Sequence, residues 1–589
     1  MAEITKHKTS QLYKLRHSCA HALAQAVKEM FPEAKLGVGP PVDFGFYYDF
    51  DLPRTLIPED LEIVEKKMRH IIKQNQKFVR RDEKIEEAVR FLEKAGQPYK
   101  VELVREFSKE NDTVSFYENV LPDGTPKFVD LCEGNHVEHL GEIKAFKLLN
   151  IAGAYWRGNE KNPMLQRIYG ACFETKEDLD AFLHQREEAK KRDHRKLGKE
   201  LDLFTFSELV GSGLPLFTPR GTILRELLND FSVKLRLEKG YQKVWIPHIT
   251  KNDLYKRSGH WDKFGDELFL VKSQETDDEL VMKPMNCPHH QQIYASQPRS
   301  YKDLPIKYLE TTTIYRDEKA GELLGLSRVR AVTQDDSHTF CRPDQIEEVY
   351  EMLIDVTKTF YQKLGMPFKA RLSFRDPAKP EKYLGEPELW EKAQNIILSV
   401  AQKNNLDHYV AEGEAAFYGP KIDFMVEDAI GRQWQLATPQ LDFVQPKRFG
   451  LTYTDKDGQE KTPVMIHFAL MGSIERFLAM YIEHTAGVFP FWLAPVQARI
   501  VPVSLAFIKY GEEIQNKLTE QGFRVELDDG TDTLGKKIRN AEMKKIPYML
   551  VIGEKEVENQ TVTLRWYATK KQETLSIAEV VKNFEELKL

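Results

Sequence analysis

The sequence predicts a multidomain protein combining α+β and α/β regions, on three observations. A chain of 589 residues exceeds what one hydrophobic core organises, so about three to five domains are expected. Apolar runs from Ile306 to Tyr315 and from Val329 to Thr333 flank a glycine-containing loop, which predicts a long hairpin with charge at its base. From about Pro495 onward, short apolar strands alternate with helices, as in an α/β domain with a mostly parallel sheet.

Composition narrows the class without choosing the chemistry. Hydrophobic content of 41% and charged content of 30% describe a soluble globular protein with no membrane span. The start of the chain carries no apolar signal segment, and five cysteines at irregular spacings form no disulfide framework. A reducing, cytoplasmic setting is expected. The formal charge of −6 argues against nonspecific polyanion binding over the whole surface, although an enzyme acting on nucleic acid needs only local basic patches.

In the first region, residues 1–176, the stretch from Leu15 to Phe31 has helical period, so His17 and His21 share one face. Far along the chain, Asp130-Leu131-Cys132-Glu133-Gly134-Asn135-His136 adds a second i, i+4 pair, Cys132 and His136. Three imidazoles and a thiol that converge make a metal-like or hydrolytic set, whereas the helical pair alone reads as ordinary polar residues. Residues 177–201 are dense in charge, with Arg186, Lys190, Lys191, Arg192, Arg195, Lys196 and Lys199 crowded together. They predict a solvated connecting helix, either a plain spacer or a phosphate-facing one. A helix from Thr222 to Lys239 and a strand from Tyr241 to Ile246, ended by Pro247, open the region 202–494.

The stretch from Met282 to His338 organises that region. Arg316, at the base of the hairpin, offers a planar fork to phosphate oxygens, and Cys287 and His338 are a thiolate and an imidazole suited to one zinc ion. A surface hairpin with a buried cysteine is the plainer alternative. Further on come a helix from Trp390 to Asn404, strand-like alternation over Ala416 to Phe424 and Trp434 to Phe443, and His467 leading into a helix from Gly472 to Glu483. The last region, 495–589, has strands near Ile500–Ser504, Arg524–Leu527, Tyr548–Ile552 and Thr561–Trp566. Its helices are expected over Tyr510–Gln521, Leu534–Lys544 and Ile577–Phe584. From Arg499 on it carries 15 Lys+Arg against 15 Asp+Glu, so no uniformly basic face is implied.

Three strings, Asn286-Cys287-Pro288, Thr333-Gln334-Asp335-Asp336-Ser337-His338 and Gly472-Ser473-Ile474-Glu475-Arg476, resemble the catalytic domain of class II aminoacyl-tRNA synthetases, most closely the threonyl-specific family. The resemblance covers nearly the whole chain. It implies an antiparallel-sheet catalytic domain over 202–494 and an α/β anticodon-binding domain over 495–589. The Thr222–Ile246 helix and strand resemble the motif that builds a homodimer interface. The strings His17-Ser18-Cys19-Ala20-His21, Gly45-Phe46-Tyr47-Tyr48-Asp49, Asp130 to His136, and Lys147-Leu148 through Gly158 resemble the family's α+β editing domain. A small ubiquitin-like domain that begins many relatives has no room before His17.

By resemblance, Arg316, Glu318 and Arg476 are catalytic, and Gln334, Asp336, Tyr418, Lys421, Gln435 and Thr438 contact substrate. His467 completes a zinc set with Cys287 and His338, one ion per chain, and Mg²⁺ accompanies ATP. His17, His21, Cys132, His136 and Asp130 form the editing site, with Lys147 nearby. Lys536, Arg539, Glu554 and Arg565 read the anticodon. The implied partners are threonine tRNA, ATP and L-threonine, and the implied reaction attaches threonine through an adenylate and hydrolyses serine attached in error. His289, Phe468 and Leu436-Ala437 depart from the usual Gly, Arg and Cys-Gly, a matter of local packing. A tRNA-binding paralogue acting as a sensor or regulator is the alternative, and would be expected to have lost Arg316, Arg476 or the zinc set. A prolyl or seryl synthetase would lack the pairing of this editing region with that set.

Overall fold

A computed structural model describes residues 10–109 and 111–588. Two compact units divide the chain after Glu187.

In the first unit the helix Gln11–Met30 is capped by Ser10, whose side chain accepts from the Tyr13 N–H. Its run Cys19 to Val27 is buried because it packs on the strand Gly45–Asp51 and the helix Pro58–Lys73. Gly45–Asp51, Met164–Phe173 and Ala145–Tyr155 are the main strands of an antiparallel sheet, and Lys77–Lys84, Thr113–Val120 and Pro126–Leu131 form another. The expected connecting helix is two helices, Lys176–Arg192 and His194–Glu200. Asp193 separates them, its side chain accepting from the Arg195 N–H and so starting the second.

The second unit is built on a nine-stranded sheet. Ile306–Tyr315 and Ala331–Cys341 form the expected hairpin, with Leu309 opposite Ser337 and Glu310 opposite Asp336. The second of these strands runs on to Cys341 and pairs antiparallel with Val464–Ser473, placing His338 directly opposite His467. Thr438–Asp442, Lys421–Glu427 and Phe368–Phe374 continue the sheet antiparallel. Its margins are parallel: Gln242–Lys243 beside Ile306–Tyr315, and His408–Glu412 beside Phe368–Phe374. The helices Pro219–Leu237, Ile346–Lys363, Pro387–Lys403 and Ile474–His484 contribute to the apolar core of this region.

Three strand expectations need correction. The Tyr241–Ile246 strand is only Gln242–Lys243. The Ala416–Phe424 strand starts at Lys421, because Ala416 to Gly419 form a tight turn closed by the Gly419 N–H donating to the Ala416 carbonyl at 3.2 Å, and Pro420 has no N–H for a ladder. Tyr418 therefore sits before the strand. Trp434–Phe443 is likewise two short strands, Gln433–Gln435 and Thr438–Asp442.

At the end of the chain, Ala498–Pro502, Val525–Leu527 and Tyr548–Ile552 are parallel, while Thr561–Trp566 and Gln572–Ser576 add antiparallel. The sheet is thus mixed where a mostly parallel one is expected, because the last strands are joined only by the short helix Glu554–Asn559 and by a short turn, connections too short for a parallel crossover. Among the described residues no helix is long and apolar enough to cross a membrane.

Candidate active site

Strand alternation sorts the acidic pair Asp335 and Asp336. Asp335 turns to the helix Pro219–Leu237, where Ser232 Oγ donates to it at 2.8 Å and the Arg236 guanidinium lies 3.4 Å away. A register shift against Val464–Ser473 brings the Met471 and Gly472 N–H groups onto the same carboxylate at 3.1 Å. Asp336 turns the other way with Gln334 and His338. Asn286 Nδ2 donates to Asp336 at 3.1 Å, and burial pushes the carboxyl up.

Beside Asp336, Cys287, His338 and His467 each present a ligand atom, all within 4.8 Å of one another. His338 Nε2 and His467 Nδ1 stand 3.1 Å apart, near the ~3.3 Å separation that two bonds of ~2.0 Å to one tetrahedral ion impose. One thiol and two imidazoles suit zinc. Burial holds the His338 imidazole well below its ordinary value, keeping it neutral as a ligand must be, and pushes the Cys287 thiol well up. The residues therefore fit a zinc ion that would draw the thiolate form.

Opposite lies a second convergence that sequence reasoning missed as a unit. Lys421 donates to buried Asp423 at 2.8 Å, Gln435 Nε2 at 2.7 Å and Thr438 Oγ1 at 3.2 Å. Ser373 at 2.6 Å and Arg371 at 2.9 Å complete the ring around this carboxylate. Tyr418 donates to Gln440 at 2.6 Å and its ring lies 5.0 Å from that of His467. A polar i, i+2 pair, Lys421 and Asp423, inside an apolar run was the available signal.

Arg316 leaves the hairpin with a buried Nε that has no hydrogen-bond partner among the described residues. Its guanidinium lies over the Phe264 ring at 4.8 Å and donates to Met285 Sδ at 3.3 Å. Burial lowers its pKa, against the pull of Glu267 and Glu318. Glu318 itself is paired with Arg328 at 2.8 Å. Arg476 lies in the first turn of its helix, where Ser473 caps its N–H, and its guanidinium faces the Trp434 ring at 5.8 Å.

The first unit brings its four expected residues together. Cys132 Sγ is 3.3 Å from His17 Nε2 and 3.3 Å from His136 Nε2, and the His21 and His136 ring centroids are 4.4 Å apart. The His136 ring stacks on Phe78 and its Nδ1 reaches Ser18 Oγ at 3.3 Å. Burial pushes the Cys132 thiol up to about 12 and holds the His21 and His136 imidazoles well below their ordinary value. Asp130 is buried against Tyr48, which donates to it, and Lys100 at 2.7 Å, while Lys147 pairs with Glu65.

Lys536 and exposed Arg539 lie on the helix Leu534–Met543, and Arg565 reaches Glu542 of that helix at 3.1 Å. Lys536 pairs with Asp532, and exposed Glu554 opens the short helix Glu554–Asn559.

The tRNA synthetase class II core domain (G, H, P, S and T) matches residues 269–485, the anticodon binding domain 497–587, and the threonyl and alanyl tRNA synthetase second additional domain 119–169. A threonine–tRNA ligase of Gloeobacter violaceus is 49% identical over 586 residues, 98% of this chain and 92% of that relative. This chain belongs to the threonine–tRNA ligase family. A second threonine–tRNA ligase, of Thermosynechococcus vestitus, is 46% identical over 98% of this chain and 96% of its own length. The crystal structure of the RNA binding domain of threonyl-tRNA synthetase from Cryptosporidium parvum matches with a TM-score of 0.64 and 38% identity, covering 67% of this chain and 98% of that one. Within the threonine–tRNA ligase frame, the core match contains both the thiol–imidazole set and the Asp423 ring. The second additional domain match contains Cys132 and His136, while His17 and His21 lie before it.

Proposed function

We propose that the chain attaches L-threonine to its tRNA through threonyl-adenylate, and that Cys287, His338 and His467 hold one zinc ion that selects the amino acid. The observation that carries this reading is the cross-strand pairing of His338 with His467 beside Cys287 and Asp336. Held by these three residues, a zinc ion would act as a Lewis acid with coordination sites left for the amino and hydroxyl groups of threonine. Asp336, which already accepts from Asn286, also accepts from that hydroxyl, so valine, which lacks it, leaves part of a buried carboxylate without its donor and is rejected. Lys421, Gln435 and Thr438, held in one array by Asp423, line the same floor with Tyr418 and Gln334.

ATP enters with Mg²⁺ as one substrate. The threonine carboxylate oxygen forms a bond to the α-phosphorus while the bond to pyrophosphate breaks. Arg316 and Arg476 neutralise charge on the phosphates, the Arg316 Nε–H, without a partner among the described residues, donating to an oxygen there. Glu318 steadies the hairpin through Arg328. A hydroxyl oxygen of the terminal tRNA ribose then bonds to the adenylate carbonyl carbon while the acyl–phosphate bond breaks and AMP leaves, and Lys536, Arg539, Glu554 and Arg565 contact the anticodon of that tRNA. Pyrophosphate exchange against all twenty amino acids, with zinc measured on the same sample, tests the reading. Strongest exchange with threonine, weaker exchange with serine, none with valine, and about one zinc per chain are expected.

Serine keeps the hydroxyl and lacks only a methyl group, a difference of about 1 to 3 kcal/mol. The cluster of His17, His21, Cys132 and His136 answers that deficit by hydrolysis. A neutral imidazole accepts a proton from water as its oxygen bonds to the ester carbonyl, and the ribose oxygen leaves with a proton. Asp130, tied to Tyr48 and Lys100, positions this cluster.

The reading also assigns residues 1–176 to editing, 177–201 to a linker, 202–494 to catalysis and 495–589 to anticodon binding. A homodimer is supported by the short marginal strand Gln242–Lys243 and by Trp245, 75% exposed beside it. Five free cysteines suit a cytoplasmic site of action. The regulator alternative is not favoured, since relatives named as ligases match along 98% of the chain.

A further inference from the structure

We propose that Glu310, acting through His290, is the positioning residue that decides which nitrogen of His338 is free to bind metal; this rests on the zinc reading above. The argument starts at the other imidazole. His467 Nε2 lies 2.9 Å from Asp442 Oδ2, and a carboxylate accepts, so His467 carries its proton on Nε2 and turns the Nδ1 lone pair toward His338 Nε2.

His338 Nδ1 lies 2.8 Å from His290 Nδ1. Two neutral imidazole nitrogens at that distance share one proton, and there are two ways to place it. With the proton on His338 Nδ1, the Nε2 lone pair faces the same space as that of His467, and His290 carries its own proton on Nε2. With the proton on His290 Nδ1, His338 instead donates its Nε2–H to His467, closing the space to a metal ion, and a bare lone pair is left on His290 Nε2.

Glu310 separates these arrangements. Its Oε2 lies 3.7 Å from His290 Nε2, and its Oε1 is anchored by the Ile246 N–H at 3.0 Å. His290 is 0% exposed and Glu310 6%. Neither His290 Nε2 nor Glu310 Oε2 has a hydrogen-bond partner among the described residues. A carboxylate facing an N–H is attracted, and facing a lone pair in a buried site it is repelled. The ligating arrangement is therefore favoured before any ion arrives. Local sequence supplies the geometry: His290 follows Cys287 by three residues on the helix Cys287–Ala295, so one helical face presents the thiol and the orienting imidazole. The hairpin register sets Glu310 opposite Asp336, two residues from His338.

Competition with a chromophoric zinc chelator tests this on four full-length proteins. Wild type is compared with Glu310→Gln, His290→Asn and His290→Ala, each also melted in its zinc-free form. The amide introduced by Glu310→Gln can donate to the His290 lone pair and so stabilises the wrong tautomer. Glu310→Gln and His290→Ala are expected to weaken zinc binding by about 10- to 100-fold, the range for groups that orient a ligating histidine. An asparagine oxygen can still accept from His338 Nδ1–H, so His290→Asn is expected to stay within about threefold of wild type. Unchanged zinc affinity in Glu310→Gln, with a zinc-free melting temperature like that of wild type, overturns the relay and leaves the zinc reading standing. Wild type that holds no zinc overturns both.

Discussion

His194 Nδ1 lies 2.6 Å from Glu483 Oε1, and the Leu326 N–H donates to His194 Nε2 at 3.1 Å. One buried imidazole thus ties the end of the helix Ile474–His484 to the loop of the Arg316 hairpin. The two partners fix its state: Nδ1 carries the proton and Nε2 accepts. Glu483 in turn pairs with Arg432, whose guanidinium faces the Trp434 ring at 5.4 Å. His194→Ala leaves the Leu326 N–H unmade and removes a partner from a buried carboxylate, which should cost about 2 to 4 kcal/mol. A shifted denaturant midpoint is expected, together with weaker ATP-dependent pyrophosphate exchange. A midpoint equal to that of wild type would show that the tie adds nothing to stability.

That tie was hidden in a stretch read as a solvated linker. Seven cations between Arg186 and Lys199 dominate the local pattern, and one buried histidine among them gives no periodic signal. Cys287 and His338 were legible by residue type, His467 joined them only through the resemblance, and strand register explains why the three meet. Asp423 was not legible: burial with five side-chain donors is a property of neighbouring strands, and its own strand shows only an alternating Lys421-Ile422-Asp423. Element types were mostly recoverable from periodicity. Boundaries failed where a tight turn and a proline decided them, as at Gly419-Pro420, and parallel against antiparallel pairing in the last sheet follows from connections that apolar runs do not specify.

Cys287→Ser should abolish both zinc content and threonine activation. A serine hydroxyl is a poor replacement for a thiolate, and two imidazoles alone leave the ion under-coordinated. Metal analysis and pyrophosphate exchange on one sample check this. Full threonine activation in zinc-free protein would remove the ion from the mechanism.

Arg316→Lys keeps the charge and loses the fork. An ammonium cannot reproduce two parallel donors to a phosphate, and the shorter head cannot lie over Phe264 as the planar guanidinium does. Exchange should fall by about 10²-fold or more. Near-normal exchange would take Arg316 out of the site.

The last prediction separates the two clusters. The His17, His21, Cys132 and His136 set belongs to the first compact unit, while Cys287, His338 and His467 belong to the second. If the first set is an independent hydrolytic cleft, Cys132→Ala or His17→Ala should leave threonine activation almost unchanged. Serine should then accumulate on the threonine tRNA, because a missing methyl group gives only about 10- to 200-fold discrimination in the synthetic pocket. The two variants are not equivalent. Cys132 Sγ stands between His17 and His136, so Cys132→Ala empties the centre of the cluster, whereas His17→Ala leaves the contact of Cys132 with His136 at 3.3 Å. Cys132→Ala should therefore lose at least as much clearance as His17→Ala. With serine preloaded on the cognate tRNA, its release is followed for wild type and both variants. Wild-type release from either variant would show that the altered residue is not required, and unchanged release from both would leave the four residues as buried polar packing in a domain without this activity.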